Sequence, residues 1–390
     1  MPNRFATDSP RLFMQPANWE GGGHYRIIQP ASLLDHHGFA ATHVQLSPPR
    51  ENALKTLNPD VVVLQLLLTE YHRERVQMYR KALPYAVFVY EIDDLCWAVP
   101  EDSFHYGNRR LRASKANIHA IANMCDIITV TTAELADEMR ELTGSEDIRV
   151  IPNYIPRSFI DAALAGRHGA ETRRKYRVGW AGALGHEGDL KIVVPIMEAL
   201  GETVEWVFLG ISPRGVMPGH NVEIHRAVPF RDYARKLGAL NLDLALAPLE
   251  DNDFNRCKSE LRVLEFAAAG YPVIASDVAP YRRCPVTRLP YQPSAWIDAI
   301  RNAMAHRDSM GAYAERLHAW VKSEKLMEDH LGEYIESYLP KNVTRFTPIA
   351  GNPPGQLPPY MASVASPSPW SGSASDRDIL AFAENTNRQR

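Results

Sequence analysis

The feature that most constrains this chain is a pair of short, unbroken apolar runs, Val61-Val62-Val63-Leu64 and Ala86-Val87-Phe88-Val89-Tyr90. A strand with one wet face alternates apolar and polar residues, whereas an unbroken run suits a strand covered on both sides, as in a parallel sheet. A helical stretch, Glu70 to Leu83, separates the two runs. The same order recurs around them. Arg11 to Gln15 reads as a strand, Tyr25 to His37 as a helix ending before Gly38, and Arg109 to Met124 as a helix leading into the strand Ile127 to Val130. A further helix, Ala133 to Leu142, precedes the strand Ile148 to Ile151. Strands alternating with helices mean βαβ units and a parallel sheet.

The alternation pauses at Pro152-Asn153-Tyr154-Ile155-Pro156, where two prolines in five residues mark a domain boundary. It restarts at Tyr176-Arg177-Val178-Gly179-Trp180 and runs through the expected helices around Ile192 to Leu200, Tyr233 to Ala239 and Ser259 to Ala269. Strands are expected at Val204 to Leu209, Val222 to His225, Leu242 to Ala247 and Pro272 to Ser276, and long helices at Ala295 to Ala305 and Tyr313 to Tyr338. From 347 to 375, seven prolines sit among Gly and Ser, a composition that buries little surface. The expected organisation is therefore an α/β chain of two Rossmann-like parallel-sheet domains facing a cleft, 1–156 and 157–340, followed by a flexible Pro/Ser-rich tail, 341–390. A helical turn or two is expected at Asp376 to Glu384.

Charge narrows the function classes. Lys plus Arg is 43 and Asp plus Glu is 46, a net charge of −3, so bulk charge does not mark a general nucleic-acid or acidic-membrane binder. Cys96, Cys125, Cys257 and Cys284 lie far apart with no CxxC or Cys/His ligand spacing, so no metal site is expected and free thiols in a reducing compartment are. Met1 to Phe5 lacks an apolar stretch, and Val61 to Leu68 is too short to span a bilayer. A cytoplasmic protein without a transmembrane segment is expected.

Ligands of open parallel sheets bind beyond the carboxyl ends of the strands, so the strand-to-helix turns are the places to search. In the segment from Asn241 to Asp277, a buried strand ends at Pro248-Leu249, a polar loop follows, and Lys258-Ser259 opens a helix. Ser259 reads as its N-cap; the helix end offers unpaired N–H groups to a phosphate and Lys258 adds a positive charge. Glu265 could accept hydrogen bonds from sugar or ribose hydroxyls, or simply pair with Arg262. In the second turn, Gly179 to Leu190, Gly182 lets a ligand approach the backbone, His186 could donate to a phosphate or lie at the surface, and Asp189 can cap the next helix. This turn is not GxGxxG, which disfavours a dinucleotide site. The third turn, Gly21-Gly22-Gly23-His24-Tyr25-Arg26, would place Gly22, Gly23 and Arg26 toward phosphate or acceptor. The fourth, Glu91-Ile92-Asp93-Asp94, crowds three carboxylates at a strand end, where one pKa can rise enough to make a base.

With these residues in view, the chain resembles the nucleotide-sugar-dependent glycosyltransferases of the GT-B fold, most of all the retaining group called family 4 or group 1. The resemblance spans about residues 11 to 335 and is densest in GWAGALGHEGDL and DFNRCKSELRVLEFAAAGYPVIASD; GGGHYRIIQPASLL, VYEIDDLCW and VIPNYIP match more loosely. It implies that the second domain holds a nucleotide-diphosphate sugar as donor substrate, with no further cofactor. Lys258 and the Ser259 backbone would bind the diphosphate, Gly182 would lie against it, and Glu265, matching the second glutamate of the E-x7-E motif, would bind ribose. Asp93 or Asp94 would lie near the reacting acceptor hydroxyl. The sequence departs from the motif at Cys257, where its first glutamate would stand, leaving Glu260 or Asp253 to substitute. The glycine turn lacks the basic pair that often contacts the diphosphate, so His186 and Lys258 would serve. The implied reaction is metal-independent, retaining sugar transfer to an acceptor hydroxyl on a glycan, a lipid-linked sugar, a protein or a modified nucleobase. Three other readings remain: an epimerase, a catalytically silent GT-B-like partner protein, and transfer onto a modified DNA base using a patch at Arg109, Arg110 and Arg112.

Overall fold

The computed structural model describes residues 9–101, 103, 107, 111, 113–167 and 175–341. Among these residues, twelve strands form two all-parallel sheets of six. The first contains β1 (Arg11–Gln15), β2 (Ala41–Val44), β3 (Val61–Gln65), β4 (Val87–Ile92), β5 (Ile127–Val130) and β6 (Ile148–Val150) in the order β2-β1-β3-β4-β5-β6. The second contains β7 (Tyr176–Gly182), β8 (Val204–Gly210), β9 (Val222–Arg226), β10 (Leu244–Ala247), β11 (Val273–Ser276) and β12 (Thr287–Leu289) in the order β12-β11-β10-β7-β8-β9.

The unbroken apolar runs are central strands with both faces covered. Val62, Leu64, Phe88 and Tyr90 enter the core on one face, while Val61, Val63 and Val89 enter the core on the other. The second sheet divides its side chains by size. Ala181, Ala245, Ala247 and Ala275 share a face with the buried Val263, Leu264, Phe266 and Ala267 of the helix Leu261–Ala268, and Trp180, Trp206 and Phe208 fill the opposite face. Small residues let that helix lie close to the sheet with its N-terminus at the sheet's carboxyl edge.

Several elements differ from expectation. The glycine segment is a helical turn, Gly21–Gly23, continuing as a π-helical segment, His24–Ile28, and an α-helix, Gln29–His36. The helix expected from Arg109 is seen over Lys115–Ala122; Arg109, Arg110 and Arg112 lie outside the described residues, as do 342–390 with the expected tail and its helical turns. The long C-terminal helix breaks at Lys325, between Arg307–Glu324 and the segments Met327–His330 and Leu331–Tyr338. There the chain runs beside Ile155 and returns to the first sheet, where Met327, Leu331, Tyr334 and Tyr338 join its core. The chain thus crosses between the halves twice, and the helix Leu331–Tyr338 belongs by packing to the first half although 157–340 was expected to form the second.

Candidate active site

The strand orders reverse between β1 and β3 and between β7 and β10, and loops beyond β1, β4, β7 and β10 line one cavity of about 550 Å³. From the first half come Asn18, Glu20, Gly21, Gly22, Asp93 and Asp94; from the second come Gly182, His186, Lys258, Ser259, Arg262 and Glu265.

The second-half wall is basic. Lys258 Nζ lies 4.3 Å from the centre of the Phe254 ring and donates to Asp94 Oδ1 across the cavity at 3.0 Å. Burial opposes its charge, but Asp94, Asp189 and Asp93 outweigh that and raise its pKa, so it stays an ammonium. Arg262 lies over Trp180 at 5.3 Å and donates to Glu265 Oε2 at 3.2 Å. A Cβ on Gly182 would stand 2.7 Å from Arg262 Nη2 and 2.4 Å from the Trp180 ring, so glycine makes room for the guanidinium at the end of β7. Ser259 does not cap the helix: Glu260 holds that position without a side-chain cap bond, and Ser259 Oγ accepts from Asn153 Nδ2 at 2.7 Å.

Glu265 is buried. Its Oε1 accepts from the Tyr25 hydroxyl at 2.9 Å, and its Oε2 from Tyr233 at 3.0 Å as well as from Arg262. Burial raises its pKa against the pull of Arg262 and the two hydroxyls. Asp189 is no simple helix cap. One oxygen accepts from His186 Nδ1 at 2.8 Å, and the other from the Glu250 amide at 2.9 Å and Asn255 Nδ2 at 2.8 Å, tying the loops after β7 and β10 together. Burial lowers the His186 pKa, so a neutral ring with its Nδ1 proton on Asp189 leaves Nε2 as an acceptor.

The first-half wall is acidic. Burial, with Asp94 and Glu91 adding like charge, pushes the Asp93 carboxyl up to about 7. Gly22 lies so close that a Cβ there would be 3.1 Å from Asp93 Oδ2.

Two expected site residues lie elsewhere. Arg26 is 1% exposed and turns into the first half, where it donates to Glu91 at 2.7 Å, the Ile151 carbonyl at 2.7 Å and Asn153 Oδ1 at 3.1 Å. Gly23 packs on Asn18, whose carbonyl oxygen would sit 1.9 Å from a Cβ. Cys257 lies outside the cavity lining, in the apolar core of the first half, where burial pushes its thiol up to about 12. Neither substitute for the missing glutamate lines the cavity: Glu260 pairs with Lys325, and Asp253 pairs with Arg256. Among the described residues no three His, Cys, Asp or Glu side chains are grouped to hold a metal ion, and no helix is long and apolar enough to cross a membrane.

Sequence reasoning missed Arg262 as a cavity residue, although Arg262 and Glu265 are three residues apart on one helix face, with Lys258 just before the helix start. It also missed Tyr25, Asn153, Phe230 and Tyr233, for which no local pattern exists. His24 and Phe230 stack across the halves, centroids 4.1 Å apart and planes at 12°, and burial lowers His24 to about 4.

No family model and no curated protein matches this sequence. Solved structures do. Anabaena Alr3699/HepE, crystallised in complex with UDP and glucose, aligns with a TM-score of 0.58 at 12% identity, over 84% of this chain and 98% of that one. Sucrose-phosphate synthase from Thermosynechococcus elongatus aligns with a TM-score of 0.56 at 14% identity over the same shares. An alpha-glucosyltransferase in complex with UDP and a 13-mer DNA aligns at 0.58 and 10% identity, again over 84% and 98%. The two facing parallel sheets and these likenesses establish the GT-B fold.

Proposed function

We propose that this chain transfers a sugar from a nucleoside-diphosphate sugar to an acceptor hydroxyl. The observation that carries the proposal is the convergence of Lys258 and Arg262 with the N-terminus of the helix Leu261–Ala268 on one cavity, opposite Asp93. Two cations and a helix end form an anion site at which negative charge builds on a departing diphosphate. Glu265, one turn further along the helix, faces where a ribose would follow. Asp93 accepts a hydrogen bond from the acceptor hydroxyl and orients it. In this proposal the cations of the chain do the work of a metal, and transfer is metal-independent and retaining, as the resemblance implies. Two of the similar structures described above contain UDP, so UDP-sugars are the first donors to test. Glu20, Asp93 and Asp94 on the acceptor side repel a phosphodiester backbone, which favours a sugar or protein hydroxyl over DNA.

The test is a thermal-shift and calorimetric titration with UDP-, ADP- and GDP-sugars, comparing wild type with Lys258→Ala. Loss of a charge-assisted contact of about 1.5–3 kcal/mol weakens diphosphate binding by roughly 10- to 150-fold. An undiminished affinity in folded Lys258→Ala would refute the assignment, and NMR of the product anomer reads retention directly.

A further inference from the structure

The two donor-side groups that carry most of the proposed recognition already have partners, and both partners come from the other half of the molecule. Lys258 donates to Asp94 at 3.0 Å, and Glu265 Oε1 accepts from Tyr25 at 2.9 Å. Asp94 is 39% exposed and, among the described residues, has Lys258 as its one side-chain hydrogen-bond partner, so it can swing away. A phosphate oxygen placed on Lys258 Nζ would stand within a few ångströms of the Asp94 carboxylate, and two anions at that range repel. Glu265 has about four acceptor positions. Tyr25, Tyr233 and Arg262 use three. A ribose diol that donates both hydroxyls needs two, so one bond has to yield, and Tyr25 is the partner on the opposite half.

We propose that Asp94 and Tyr25 are built-in competitors of the donor: Asp94 stands in for its diphosphate on Lys258, and Tyr25 for a ribose hydroxyl on Glu265. This rests on the nucleotide-sugar reading of the same cavity. Donor binding then exchanges two bonds between the halves for two bonds to ligand. The exchange releases Asp94 beside Asp93, where the acceptor hydroxyl is to be oriented. The sign of the mutational effect follows. A side chain that simply helped bind the donor would weaken binding when removed, whereas a competitor strengthens it.

The experiment is isothermal titration of UDP and of inorganic pyrophosphate into wild type, Asp94→Asn, Asp94→Ser, Asp93→Asn and Tyr25→Phe, each checked for a wild-type melting profile. Both Asp94 variants are expected to bind UDP and pyrophosphate about tenfold more tightly. Tyr25→Phe is expected to tighten UDP severalfold and leave pyrophosphate unchanged, because pyrophosphate has no ribose. Asp93→Asn removes the neighbouring carboxylate, which acts on Lys258 through space but makes no bond to it, and is expected to tighten either affinity by less than threefold, well short of the Asp94 variants. Unchanged or weaker binding in both Asp94 variants, or an Asp93→Asn effect as large as theirs, would overturn the competitor role while leaving the nucleotide site intact. Failure of UDP and pyrophosphate to bind wild type and every variant would refute the underlying reading as well.

Discussion

Arg26→Leu separates two roles that the sequence alone does not distinguish. A cleft arginine that binds ligand is dispensable for folding; a buried one that neutralises a carboxylate is not. Arg26 and Glu91 are 1% and 0% exposed, with Nε and Oε1 2.7 Å apart, and Thr129 donates to the other Glu91 oxygen. The same guanidinium holds the first crossing between the halves, at Ile151 and Asn153. Removing one member of such a pair strands a buried charge and costs about 3–5 kcal/mol. At about 2 °C per kcal/mol for a chain of this size, melting falls by roughly 6–10 °C. Replacing both members with apolar residues of similar volume is often close to neutral, so Arg26→Leu/Glu91→Leu is expected to recover at least half of the loss. Calorimetric melting of wild type, both single variants and the double variant closes the cycle. A melting temperature of Arg26→Leu within about 1 °C of wild type, together with weakened UDP binding, would show that the side chain serves the ligand. Additive losses in the double variant would show that the pair is not the source of the stability.

Other outcomes follow from the same geometry. Because Asp93 titrates near 7 when folded and near its ordinary 3.8 when unfolded, its ionisation opposes folding. Wild type therefore loses stability relative to Asp93→Asn as pH rises from about 4 to 7, and pH-dependent melting of the two proteins checks this. In the proposed reaction, with the ionised Asp93 carboxylate accepting from the acceptor hydroxyl, kcat/KM is expected to rise as pH passes through about 7, and Asp93→Asn to remove that limb from its pH dependence. Gly182→Ala forces a Cβ to 2.7 Å from Arg262 Nη2 and 2.4 Å from Trp180, so the guanidinium has to move. Titration with UDP is expected to show at least tenfold weaker binding in the folded variant.

How much was legible depended on how local the determining contacts are. The central strands announced themselves because burial on both faces writes itself as unbroken apolar residues. Two of the four edge strands did not: β2 (Ala41–Val44) and β12 (Thr287–Leu289) are half-exposed, and their short polar sequences carry no such run. Asp93, Asp94, Lys258 and Glu265 could be found because site residues of parallel sheets collect at strand ends and helix starts. Arg26 misled for a physical reason. Consecutive residues of a helix do not share a face, so in the segment His24–Ile28 Tyr25 reaches across to Glu265 in the second half while Arg26 turns inward to Glu91. Tyr233 and Asn153 reach the cavity through contacts with residues 32 and 106 positions away, a separation no local pattern records.

The topology explains why neither half holds a complete site. Each sheet reverses its strand order once, and each reversal opens a crevice at the carboxyl ends of its strands. Facing the two crevices sets one sheet's loops against the other's, with cations from the second half opposite carboxylates from the first. Burying such opposed charges is costly unless they pair or are compensated by a ligand. That requirement accounts for the bonds from Lys258 to Asp94 and from Tyr25 to Glu265, while Asn153 to Ser259 and Thr132 to the Cys257 carbonyl add neutral hydrogen bonds across the seam. It also gives position 257 a purpose that a carboxylate would not serve. Cys257 and Phe254 pack into the apolar core of the first half, so this second-half loop fastens the two halves together.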